Sequence, residues 1–340
     1  ATTGSNNTVV GKDAAAGAVM TGSDNTFMGK DAGQAITSAA NNVIVGSAAG
    51  IAVTTGGNNV VVGMEAGGAL TSGTENVAVG FQAMKLVTTA SSSVAIGNEA
   101  LENNVAAENV AVGTKALRAT TTGTQNTAVG TEALKTMSTT SGQTAVGYKA
   151  LEVSVGNYNT AIGVECMNDA TGAGNCTAVG YHALRLLTTG AQNTALGMQA
   201  LYSNTDGVRN LAIGYNAYSS SNSENDNIAI GFDAMTTNTA GGNANVVVGN
   251  YAGDAITSGD NNASIGHTSL TGVTSGDANS GLGQHSGANL TTGSNNTFVG
   301  YNSQPSAVDV SNEITFGDAN VTALRSADQS IAALSDGRDK

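Results

Sequence analysis

The chain has 340 residues, of which 46 are glycine, one is proline and none is tryptophan, and only 11% are charged; this profile excludes collagen and a proline-rich linker. A net charge of −13 repels the phosphate backbone, so counterion release cannot drive binding and nucleic acid is excluded as a partner. These residues contain neither a run of about twenty apolar residues nor a basic leader followed by an apolar segment.

In chain order the sequence is one element repeated. A glycine preceded by an apolar residue recurs every 16 to 18 residues, from Gly11 through Gly130 to Gly317, in nineteen copies. Self-similarity of this length predicts a solenoid in which each copy stacks on the last. Ala1 already lies inside a repeat, so a longer protein is expected around this chain. Disorder does not fit, because a disordered chain has no reason to hold an apolar residue in register over three hundred positions.

Aligned on the glycine, the consensus reads Asn-Thr-Ala-Val-Gly-x-x-Ala-Leu, followed by a variable Thr, Ser and Gly-rich stretch. The residue just before the glycine is apolar in every copy, and a Val, Thr or similar residue stands two positions earlier. That period of two predicts one short strand per coil. The residue before the glycine is expected to line the core, at Val45, Val79, Val129, Ile162, Ile213 and Ile230. Ala follows the glycine by three residues in most copies and is succeeded by Leu, Met or Gly. A coil of 17 residues encloses few side chains, so this Ala-Leu face is expected to be covered by self-association in a parallel homotrimer.

Asn stands four residues before the glycine in fifteen of nineteen copies, including Asn42, Asn59, Asn76, Asn126, Asn193, Asn227 and Asn296. An internal ladder is predicted, with each amide at a left-handed corner and bonded to its equivalents above and below. The variable stretches, such as Thr120-Thr121-Thr122-Gly123, carry too many β-branched and glycine residues for a helix in every unit. The fold class expected is therefore all-β: an elongated parallel β-solenoid or β-roll of about 17-residue coils over residues 1–317, with a transition segment at 318–335.

Few residues suggest chemistry. His182, His267 and His285 fall in different copies without metal-ligand spacing, so neither a metal nor a cofactor is expected. Cys166 and Cys176 read as buried thiols, with a disulfide as the alternative. Glu65, Glu99, Glu132 and Glu165 recur two residues after the glycine and suggest a solvated rib. Aromatic residues one position after it, at Phe81, Tyr148, Tyr181, Tyr215, Phe232 and Tyr301, read as rim-covering groups, with a weak glycan-contact stripe as the alternative. Thr pairs such as Thr88-Thr89 and Thr139-Thr140 drift in position, which argues against a flat ice-binding face. A paired-carboxylate glycosidase site needs a cleft that nothing marks, so no enzyme is expected.

The segments Asn126 to Leu134 and Asn193 to Leu201 resemble the head repeats of trimeric autotransporter adhesins and the shafts of phage tail fibres. That resemblance implies a trimer of left-handed parallel β-rolls, although the period here is longer. The C-terminal run from Ser311 to Phe316, followed by Ala333-Leu334-Ser335-Asp336-Gly337-Arg338-Asp339-Lys340, resembles the junction with an intramolecular chaperone of the endosialidase type, the peptidase S74 domain. It implies self-cleavage between Ser335 and Asp336, with Lys340 assisting the Ser nucleophile, and it makes 336–340 the start of a chaperone domain. The function implied is that of a virion appendage shaft, with virion attachment proteins and a host surface glycan or protein receptor as partners. The alternatives are the head of a bacterial adhesin displayed on the cell surface and, third, a polysaccharide-degrading tailspike.

Overall fold

The computed structural model describes residues 3–17, 19–237 and 241–322. Nineteen strands of three residues each, from Thr8–Val10 to Ile314–Phe316, form one parallel sheet, and each strand ends on the residue before a repeat glycine. Successive strands pair without slip, as in Val112↔Val129↔Val146. A two-residue pair, Val153–Ser154 with Asp169–Ala170, forms a second, minor sheet. No helix occurs among the described residues. The repeat loosens after Pro305, yet its last coil still closes, and Ile314–Phe316 pairs in register with Thr297–Val299.

The coil turns by left-handed corners. In the coil around Gly130 they lie at Gln125, Glu132 and Leu134, with φ of 59°, 61° and 50°. Equivalent positions recur along the rod, and among the described ones Thr268 alone is β-branched, because a branched Cβ crowds the backbone at positive φ. The repeat glycine is a separate requirement. Gly130 has φ 137°, a region essentially closed to other residues, and a Cβ there would lie 2.6 Å from the Gly147 carbonyl carbon in the next coil.

The core differs from the expectation in which strand residue points inward. Val45, Val79, Val129, Ile162, Ile213 and Ile230 all face outward, and Val129 and Ile162 remain 38% and 40% exposed. The buried residue is the middle one, two before the glycine: Ile44, Ala78, Ala128, Ala161, Ala212 and Ala229. The period of two was right and the face was inverted. A coil this thin accepts Ala at its centre because Leu or Met from the following corner fills the remaining space.

That corner brings a second correction. The Ala-Leu pair, for example Ala133 and Leu134, is fully buried inside the coil rather than presented to a partner. Its packing is size-compensated through most of the rod; Gly281 and Gly287 fall together in one coil, where Phe298 and Leu270 of the adjacent coils crowd the corner instead. Where the middle strand residue is large, at Phe27, Ile44, Val61 and Val247, the corner residue is Gly33, Gly50, Gly67 and Gly253; where it is Ala, as at Ala128 and Ala195, the corner is Leu134 and Leu201. A Cβ on Gly50 would approach Ile44 Cδ1 to 2.8 Å. Constant interior volume is what close packing demands.

The Asn ladder runs through the interior. Asn126 donates from Nδ2 to Asn109 Oδ1 (3.1 Å) and to Thr140 O (3.0 Å), while its own Oδ1 accepts from Gln143 N at 3.0 Å. Asn42, Asn59, Asn76, Asn193, Asn227 and Asn296 are likewise buried and bonded between coils. The left-handed residue is the one before each ladder Asn, such as Asn41 and Asn58, so these amides serve bonding rather than the corner. Ser93, Gln143 and Cys176 replace Asn and still accept a backbone N–H from the next coil.

Candidate functional site

The surface feature that stands apart is the outer face of the sheet. Strand alternation turns the first and third residues of every strand outward. The third-residue column runs from Val10 through Val129 and Leu196 to Phe316 and is apolar at all nineteen levels, with none of its members buried. Parallel in-register pairing places these side chains directly above one another. The first-residue column on the same face mixes Val, Leu and Ile with Thr and Ser. Monomeric proteins rarely expose an apolar patch beyond about 300–600 Å².

The column one residue after the glycine adds Phe81, Tyr148, Tyr181, Tyr215, Phe232 and Tyr301, all exposed. Tyr215 and Phe232 stack with centroids 5.1 Å apart and planes at 12°; Tyr251 meets Phe232 edge-on at 5.4 Å, and His267 lies 6.0 Å further along. Between Tyr215 and Phe232 the ring faces point at each other, which leaves edges rather than platforms for a sugar ring.

The Glu rib is not freely solvated. Arg118 Nε lies 2.7 Å from Glu102 and 3.0 Å from Glu99. Lys135 bridges Glu132 (3.0 Å) and Glu152 (3.4 Å), and Lys149 bridges the same two at 3.6 and 3.2 Å. Glu165 accepts from Arg185 Nε at 2.9 Å and lies 3.1 Å from His182 Nε2. Lys85 lies 2.8 Å from Glu65. The Lys135 ammonium, Arg185 guanidinium and Lys85 ammonium hold the carboxyls of Glu132, Glu165 and Glu65 below the ordinary range. Salt bridges between neighbouring coils therefore recur in four separate groups along one ribbon of the surface, from Glu65 to Arg185.

Cys166 and Cys176 are free and buried, and burial pushes the Cys166 thiol up to about 12. Among the described residues no group of three or more His, Cys, Asp or Glu could hold a metal ion. The sequence reading missed two polar ladders. A Thr eight residues after the glycine donates its hydroxyl to the carbonyl one coil on, as in Thr54 to Thr71 O (3.2 Å) and Thr188 to Thr205 O (2.9 Å). Six residues before the glycine, a short polar side chain accepts a backbone N–H from the preceding coil, as Asp260 does from Asn243 N and Asp277 from Asp260 N. Numbering positions from the glycine, rather than seeking Thr pairs, exposes both.

Ser335, Asp336 and Lys340, with most of the 318–335 segment, lie outside the described residues. Compared with protein-family models, with curated proteins and with solved structures, the chain finds no match.

Proposed function

We propose that this chain is the shaft of a phage tail fibre or related virion appendage, a parallel homotrimeric rod that holds a host-recognition surface away from the particle. The observation that carries the reading is the unbroken sheet of nineteen strands paired level by level. At roughly 4.8 Å per strand it makes a rod of about 90 Å, tied along its length by backbone bonds and by internal Asn bonds. Such a body transmits force and sets distance. Its partners are virion attachment proteins at one end and a host glycan or protein receptor, and its only chemistry is one self-cleavage at the Ser335-Asp336 bond. The resemblance at Ser335 to Lys340 is what favours a virion over the bacterial surface.

Native mass measurement should give three times 33.4 kDa, and electron microscopy should show straight rods about 90 Å long. A single-copy mass would remove the trimer, and collapsed particles would remove the shaft. Antibody against the rod should decorate virion appendages; decoration of a bacterial surface would move the assignment to an adhesin head. A chain extended by an endosialidase-type chaperone should be cut so that the rod ends at Ser335 and a fragment begins at Asp336. Ser335→Ala lacks the attacking hydroxyl and should stay one chain, and Lys340→Ala should slow the cut. Efficient cleavage of Ser335→Ala at that bond would overturn the assignment.

A further inference from the structure

We infer that the outward strand column from Val10 to Phe316 is the seat of a second copy of this chain. Its composition is more restricted than the fold requires. The coil interior is already filled by the middle strand residue and the Ala-Leu corner, so a lone rod gains little from an apolar side chain outside. Strand propensity would be met by Thr, and the neighbouring column on the same face accepts it at Thr127, Thr144, Thr160, Thr177 and Thr194. The third-residue column never does.

Charge selects the occupant. The chain carries 25 acidic residues, yet none falls in the two outward strand columns or in the column after the glycine between Thr8 and Phe316. Two copies, each with a net charge of −13, would repel on any acidic face. Here they meet along a strip without carboxylates. Area agrees with that occupant. Leu196 is 47% exposed and Ile265 43%, and such side chains repeated along the rod expose on the order of 1,000 Å², against roughly 800 Å² per partner in a standard stable interface. Only a partner with a strip of the same length covers the whole column, and a second copy has one.

The inference rests on the self-associating shaft reading and is tested separately from it. The variant carrying Val129→Lys, Ile162→Lys and Leu196→Lys changes only outward positions, so its β circular dichroism should persist while its native mass falls to 33.4 kDa. Thr139→Lys, exposed elsewhere on the coil, should keep the wild-type mass. A wild-type chain of single-copy mass would overturn the shaft's trimer and this face together. A multimeric triple variant would overturn the face alone. Should the triple variant fail to fold, Val129→Cys in the intact assembly decides: a short bis-maleimide should join copies through residue 129, and Thr139→Cys should not react across copies. The native thiols stay silent because both are buried. Cross-linking at 139 but not at 129 would overturn the inference.

Discussion

Size compensation in the coil interior makes a specific coupling testable. Gly50→Leu adds a side chain at a corner whose backbone suits it, since Gly50 has φ 50° and Leu134 occupies the same position at 50°. It would nonetheless collide with Ile44 and should cost about 1–3 kcal/mol by overpacking. Ile44→Ala alone leaves a cavity and should cost about 2–5 kcal/mol. The double variant recreates the arrangement of Ala128 and Leu134 and should be more stable than either single one, as measured by urea melts. Additive losses would show that the two positions do not share volume. Asn126 offers a second residue-level test. Ala there strands the Thr140 carbonyl and the Gln143 N–H at a buried level and should cost about 1–3 kcal/mol for each group left unsatisfied. Ser should cost less, because Ser93 already fills a rung and accepts Asn109 N at 3.3 Å. Equal losses for Ala and Ser would mean that the hydroxyl does not reach.

At the scale of the element, the ion-pair ribbon gives the middle coils a response to acid. Lys85, Lys135 and Arg185 hold the carboxyls of Glu65, Glu132 and Glu165 below the ordinary carboxylate range. A carboxyl with a lower pKa when folded than when unfolded contributes stability that is fully present above the unfolded value and is lost as pH falls through the folded one. Each pair is largely solvent-screened, so the individual terms are small. Hydrogen exchange between pH 7 and pH 3 should therefore lose protection earlier in coils 63–185 than in coils 249–300, and raised salt should narrow the difference. Uniform loss along the rod would mean that the pairs contribute nothing to local stability. The same ribbon shows why Glu at the second position after the glycine read as a solvated rib. Its partners, such as Arg118 for Glu99 and Lys85 for Glu65, sit about one coil away, and that adjacency exists only once the coils are stacked.

At the scale of the whole molecule, the rod is a one-dimensional object in which each coil touches only its neighbours, so defects should remain local and ends should loosen first. The period, the single strand per coil, the parallel stack and the internal Asn ladder were legible in the sequence. Each follows from a residue whose requirement is local: a glycine at φ near 137° such as Gly130, an apolar and polar alternation, an amide recurring once per turn. The direction of the strand's faces was not legible. With Val129 apolar and Ala128 small, hydrophobicity alone assigns the larger residue to the core, and only the closed coil shows that its interior has room for Ala128 beside Leu134 and none for a second large side chain. The same ambiguity hid the exposed apolar column, because an Ala-Leu pair and a Val column are equally apolar in the sequence. Local backbone constraint and periodicity were therefore determined by sequence, while inside and outside were decided by the volume of the closed coil, a property that no single repeat encodes.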